Sequence, residues 1–261
     1  MSEAKYQRIL VKLSGEAFAG GDGVGIEPAA VHRLAQELKE VQDTGVEVSV
    51  VVGGGNIFRA RTRSAHDIER VTADYMGMLA SVLNALALQD ALEKMGAFTR
   101  VMSAIEMHEV AEPYIRRRAI RHLEKGRIVI FAAGTGNPYF TTDTAAALRA
   151  AEVGAQALLK GSTVDAIYDR DPKLDPAARR LSHLDYMEAL TLRIKALDAT
   201  AVSLSQDTGL PIILFDIRQP GNLKRVVMGE PIGSIISARP TVESKGSAGG
   251  EGVSDGDGTG A

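Results

Sequence analysis

Two lysines stand where apolar runs give way to glycine: Lys12 in "ILVKLSG" and Lys160 in "ALLKGS". A lysine at the end of an apolar strand costs free energy unless its ammonium reaches a partner or snorkels to the rim. Two more strand-like runs end in glycine-rich turns. "VSVVVGGGNIFRAR" carries Arg59 beyond its three glycines, and "FAAGTGNPYFTTDTAA" runs through Gly134 and Gly136 towards Thr142 and Asp143. Glycine lets backbone N–H groups approach an anion closely, and phosphate is the commonest such anion. Lys12, Lys160 and Arg59 around such loops suit a polyphosphate whose charge must be neutralised while a phosphoryl group moves. Asp143 reads either as an N-terminal helix cap or as a carboxylate that orients the cations, and both roles are compatible.

Other chemistries are excluded or weak. The glycine run is not followed by Lys-Ser or Lys-Thr, so it is no Walker A loop, and the G-x-G-x-x-G dinucleotide fingerprint is missing. The chain has no cysteine, which removes disulfides, thiolate metal sites and cysteine nucleophiles. Its five histidines are scattered without zinc spacing. Asp169, Asp171 and Asp175 lack the glycine and terminal Glu of a calcium loop, and a turn at Pro172 accounts for them. The triple Arg116-Arg117-Arg118 reads as a solvated helix face.

These residues need a parallel sheet to bring them together. Strands are expected at residues 9–13, 46–52, 100–103, 127–132, 157–160 and 212–215. Val31, Leu34, Leu38 and Val41 form one stripe of a helix between Pro28 and Gly45. A second, long helix runs to about Met95, with Asp67 as its expected cap, and is apolar nearly all round, as for a central or intersubunit helix. Strands alternating with helices predict a three-layer α/β/α sandwich around a mainly parallel open sheet, with ligands beyond the carboxyl ends of the strands. Residues 1–240 are expected to form a single catalytic domain. Residues 241–261, "TVESKGSAGGEGVSDGDGTGA", hold too few apolar groups to fold and read as a disordered tail. A net charge of −3 gives no reason to expect nucleic acid or an anionic membrane as partner, and no N-terminal signal or span is visible. A cytoplasmic location is expected.

The motifs "VKLSGEA", "GGGNIFR", "DYMGMLA", "MSAI", "GTGNPYFTTD" and "DAIYDRDP" occur in this order, and the chain from about Tyr6 to Ser237 resembles the bacterial uridylate (UMP) kinases of the amino acid kinase superfamily. The resemblance implies transfer of the ATP γ-phosphoryl group to UMP, in de novo pyrimidine nucleotide synthesis, with Mg²⁺ carried on the ATP phosphates. It implies that Lys12, Leu13, Ser14 and Gly15 bind the ATP phosphates, with Gly55, Arg59, Ser162, Thr163, Tyr168 and Asp171 also on the ATP side. Lys12, Lys160, Arg59 and Asp143 would be catalytic. Gly54 and Asp74 would contact UMP, and Thr135, Gly136, Asn137, Pro138, Tyr139, Phe140, Thr141 and Thr142 would wrap it. Gly20, Gly21, Asp22, Gly23, Val24 and Gly25 would belong to a GTP effector site in a homohexamer, with GTP activating and UTP inhibiting; their composition alone reads as a flexible connection or a hairpin around Asp22-Gly23. The chain departs from the family at Thr163, where a Lys is frequent. A kinase of carboxylates or carbamate and a non-catalytic nucleotide-binding protein are the competing classes. The complete loop from Thr135 to Thr142 weighs against the first, and retention of both lysines against the second.

Overall fold

The computed structural model describes residues 4–58, 68–170, 172, 174, 175, 177–192, 194 and 197–238. The chain opens with β1 (Arg8–Leu13), a 3₁₀ turn (Gly15–Phe18), α1 (Pro28–Gln42) and β2 (Glu47–Val52). The long helix α2 (Arg70–Lys94) leads to β3 (Thr99–Ser103), β4 (Glu112–Pro113), α3 (Arg116–Glu124) and β5 (Ile128–Ala132). Next come α4 (Thr142–Val153), β6 (Ala157–Ser162) and the short pair β7 (Ile167–Tyr168) and β8 (Arg180–Leu181). The last elements are β9 (His183–Leu184), α5 (Tyr186–Thr191), α6 (Ala199–Thr208), β10 (Ile212–Asp216), α7 (Asn222–Val227) and β11 (Ser234–Ile236).

One nine-stranded sheet runs β4-β3-β5-β2-β1-β6-β10-β11-β9, and β7 and β8 form a separate two-stranded sheet. Every pairing in the large sheet is parallel except β10 with β11. Each long expected strand is present within one or two residues of its reading. The short strands β4, β7, β8, β9 and β11 escaped it, because two or three residues carry no periodicity.

Alternation along β1 sorts its side chains between two cores. Ile9, Val11 and Leu13 pack with residues of α1, α2 and α7, whereas Leu10 packs with residues of α3, α4 and α6. This is the expected three-layer arrangement, with the sheet buried on both faces. Pro28 occupies the first turn of α1, where its missing N–H costs nothing. The expected Asp67 cap lies outside the described residues, and Glu69 at the N-cap of α2 makes no side-chain cap bond. Along α2, Met78, Val82, Ala85, Leu88 and Leu92 are buried, while Tyr75, Met76, Leu79 and Leu83 stay exposed along one side. Among the described residues α2 is the one helix long and apolar enough to cross a membrane by length and composition, and it packs here on α1, β2, β3 and β5. The chain leaves β1 to build β2, β5 and β3 on one side and β6 and β10 on the other, so the carboxyl end of β1 is a topological switch point.

Candidate active site

Lys12 and Lys160 are register partners on the adjacent strands β1 and β6. Two residues before each lies Leu10 or Leu158, both in the core on the α4 side, so both ammonium groups point to that layer. Side-by-side ammonium groups repel, and both lysines are at most 9% exposed, so the pair requires a carboxylate. Asp143, in the first turn of α4, supplies it. Its Oδ1 lies 2.9 Å from Lys12 Nζ and its Oδ2 accepts from Lys160 Nζ at 2.5 Å. Burial by itself pushes the Asp143 carboxyl up, but the two ammonium groups together outweigh it and hold the carboxyl below the usual carboxylate range. Burial and the neighbouring Lys12 charge bring Lys160 below the usual lysine range, against the pull of Asp143. The capping reading of Asp143 is corrected: the N-cap is Thr141, whose Oγ1 accepts from the N–H groups of Asp143 and Thr144. Asp143 instead uses the helix N-terminus as a favourable setting for its charge.

The glycine turns after β1 and β2 pack against each other. Gly53 N–H donates to Leu13 O at 2.9 Å, and a Cβ on Gly15 would stand 2.4 Å from Gly55 N. A Cβ on Gly54 would stand 2.7 Å from Gly77 O, Ser81 N and the Ala80 Cβ of α2. Gly54 is therefore bare because α2 crosses its backbone, a reason that holds before any ligand arrives. The side chain of Leu13 is fully buried in the core on the α1 side, so only its backbone faces the turn.

A cleft of about 330 Å³ lies beyond these strand ends. Lys12, Ser14, Gly15 and residues 53–55 line one wall; Asp74, Gly77, Met78 and Ser81 of α2 line another; Thr135, Asn137, Phe140, Thr141 and Thr142 close it. The structure thus brings Asp74 and the 135–142 loop together across a wide sequence gap. Asp74 Oδ2 accepts from Tyr139 N–H at 2.8 Å and pairs with Arg70 at 2.8 Å. The loop is shaped by backbone that L side chains rarely adopt: Ala133 has φ 60° and Tyr139 φ 73°, beside Gly136 at φ 79°. Thr135 Oγ1 accepts from Asn137 N–H at 3.1 Å, which folds the loop back on itself ahead of Pro138.

Ser162, Thr163 and Tyr168 are not among the residues that line this cleft. Ser162 ends β6 and accepts from Val164 N–H at 3.3 Å, and Thr163 O accepts from the Arg218 guanidinium at 2.7 Å. Tyr168 sits in the β7–β8 hairpin, its hydroxyl donating to Asp165 at 3.2 Å. Arg59 and Asp171 lie outside the described residues. Residues 20–25 form no hairpin: Gly23 N–H closes a turn onto Gly20 O at 3.1 Å, and no strand flanks it. Nor is this segment independent of the cleft, because Gly25 N–H donates to Asn56 O at 2.9 Å, directly after the glycines.

Sequence reading missed three residues that support the site. Asp198 accepts from the hydroxyls of Thr141 and Thr144 and caps α6 through Ala201 N–H at 2.8 Å, which joins α6 to the start of α4. Its place before the helix "ATAVSLSQDT" is a capping signal, but nothing local ties it to Thr141. Asp216, at the end of β10, is held below the usual carboxylate range by its hydrogen bonds from Arg218. Asn84, inside α2, has no sequence signal.

A profile of the amino acid kinase family matches residues 7–216, and the chain belongs to that family. Among solved structures it is similar to a UMP kinase from Bacillus anthracis, with a TM-score of 0.86 and 38% identity over 89% of this chain and 96% of that one. A UMP kinase from Ureaplasma parvum gives 0.84 and 36% identity, covering 90% of this chain and 100% of that one. A uridylate kinase from Archaeoglobus fulgidus, at 24% identity and a TM-score of 0.70 over 88% and 99% of the two chains, shares the fold.

Proposed function

We propose that the protein is a UMP kinase, catalysing ATP + UMP → ADP + UDP in pyrimidine nucleotide synthesis. The observation that carries this reading is the Lys12–Asp143–Lys160 cluster at the switch-point strand ends, which meets through Lys12 a cleft walled by glycine backbone. Similarity to two UMP kinases above 35% identity supports the choice of acceptor. A UMP phosphate oxygen attacks the ATP γ-phosphorus, the new P–O bond forms, and the bond to the β,γ-bridging oxygen breaks with its electron pair leaving on ADP. Phosphoryl transfer needs little covalent help, so the protein contributes position and charge.

In this reading Asp74 and residues 135–142 hold UMP, with Gly54 beneath its phosphate. Lys12, Ser14 and Gly15 meet the transferring phosphates, and Gly55, Arg59, Ser162, Thr163, Tyr168 and Asp171 lie towards ATP. Lys12 and Lys160 stabilise the equatorial oxygens, and Asp143 keeps both ammonium groups aimed. Both Asp143 oxygens face lysines, so the cluster suits phosphate oxygens and not a metal ion; Mg²⁺ would be carried by the ATP phosphates and would supply charge neutralisation there.

Residues 1–240 constitute the catalytic domain in the cytoplasm, with 241–261 a dispensable tail. The exposed stripe Tyr75, Met76, Leu79 and Leu83 suits a subunit contact in a homohexamer activated by GTP at residues 20–25 and inhibited by UTP. A coupled ADP-release assay with UMP, CMP, carbamate and acetylglutamate tests the reaction. Turnover of UMP well above the others is expected, and turnover of an acid or of none would overturn it. Sizing chromatography, with UMP saturation curves with and without GTP or UTP, tests assembly and regulation.

A further inference from the structure

Two buried side-chain amides join the 20–25 segment to the glycine loop after β2, and the chemistry above uses neither. Asn56 and Asn84 are 3% and 0% exposed. Asn56 Nδ2 donates to Gly25 O at 2.6 Å and to Asn84 Oδ1 at 3.1 Å. Asn84 Nδ2 donates to Gly53 O and to Asn56 Oδ1, both at 2.7 Å. The orientation of both amides is fixed by their partners. Gly25 O and Gly53 O only accept, so each must face a side-chain nitrogen, and the remaining N–H groups then meet the two side-chain oxygens. All four amide protons are used.

Such a pair is a poor choice for stability alone. Asparagine is a weak helix former, and a buried amide needs complete hydrogen bonding merely to avoid its desolvation cost. Its neighbours Val82, Ala85 and Leu88 on α2 are apolar. What the amides do achieve is geometric. They bond α2, the 20–25 segment and Gly53 into one unit, and Asn56 Oδ1 lies only 2.6 Å from where a Gly15 Cβ would stand, against the turn after β1. A fully satisfied polar network of this kind rigidifies what it touches.

We propose that Asn56 and Asn84 are positioning residues: their amide pair fixes the two glycine turns relative to each other and couples the 20–25 segment to them. The inference rests on reading the cleft as a phosphoryl-transfer site, but its test has an arm that does not. Amide hydrogen exchange without nucleotide is compared between wild type and Asn84→Ala. Faster exchange is expected in peptides covering 20–25 and 53–57 together, although the new gap lies in α2. A change confined to α2 would overturn the coupling. The second arm measures ATP and UMP kinetics for Asn56→Ala, Asn84→Ala and the double variant. Each single change is expected to lower kcat about tenfold to a hundredfold, as small misplacements do, with KM for UMP moved far less. The double variant should be no slower than the worse single one, because the amides act as a unit. Unchanged kcat in folded variants, or losses that multiply, would overturn the positioning role. If Asn84→Ala fails to fold, Asn84→Ser takes its place in both arms. A wild type that does not phosphorylate UMP removes the functional reading while exchange still decides the coupling.

Discussion

Lys12 and Lys160 sit directly opposite each other on neighbouring parallel strands and share the two oxygens of one carboxylate, Asp143. Two ammonium groups and one carboxylate give this trio a net positive charge beside the cleft. It is a preorganised site for an anion, ready before charge develops on the transferring group.

Lys12→Ala should lower kcat about a hundredfold to a thousandfold, the range for removing one preorganised donor to a developing charge, with much less change in the KM for UMP. Steady-state kinetics at saturating ATP measure this. A variant with normal kcat and only weaker binding would remove the transition-state role.

Asp143→Asn leaves two partly desolvated ammonium groups facing each other. Breaking a buried ion pair from one side costs about 3–5 kcal/mol, so a large drop in Tm should accompany the loss of activity. The sign of the pH effect follows from the depressed carboxyl. Its contribution to stability is complete above the unfolded value of 3.8 and is lost as pH falls through the lower folded value. Urea titrations from pH 5 downward should show wild type losing stability over this window and the Asp143→Asn variant losing less.

Lys160 titrates below 10.5 in the folded protein, and it must be charged to stabilise phosphate oxygens. The alkaline limb of kcat should therefore fall at a pH below that of a free lysine, and Lys160→Arg should move the limb upward in whatever activity remains. A pH–rate profile with the same limb in both proteins would assign it to another group.

Asp74→Asn should raise the KM for UMP about tenfold to a hundredfold, the worth of a hydrogen bond to a charged group, while the KM for ATP stays put. Because Asp74 also anchors Tyr139 N–H, equal effects on both nucleotides would show that it acts only through the loop.

Gly54→Ala places a Cβ 2.7 Å from the backbone of α2. The glycine loop has to shift away from the helix, at a cost of about 1–3 kcal/mol, with a fall in kcat. Thermal melts and kinetics on the same preparation test both parts, and a variant with wild-type values in each would show that the contact relaxes freely.

How much was legible can be read from particular elements. The run of residues 46–52 ends in Val50, Val51 and Val52, apolar on both faces, and Pro28 and Gly45 bracket α1, so strands and helices announced themselves through local sequence pattern. The hairpin expected at Asp22-Gly23 is reduced to a turn without strands: Glu27 N–H donates to Phe18 O across its base, while Gly25 is drawn to Asn56, a pairing that no turn signal encodes. The cap is Thr141 and not Asp143, because α4 begins at Thr142 and Asp143 already stands inside its first turn, from where its carboxylate reaches Lys12 and Lys160.

The sequence by itself determined the alternating strands and helices, the glycine-rich strand ends and the unusual lysines at Lys12 and Lys160, because each depends on residue type and on spacing within one element. Only the tertiary structure decided that those lysines are register partners, that Asp143 lies between them, that Asp74 reaches Tyr139, and that Asn84 meets Asn56. These relations join residues 17 to 148 positions apart, as Lys160 to Asp143 and Lys12 to Lys160 show. They follow from strand order at the switch point and from helix packing, which no local pattern encodes.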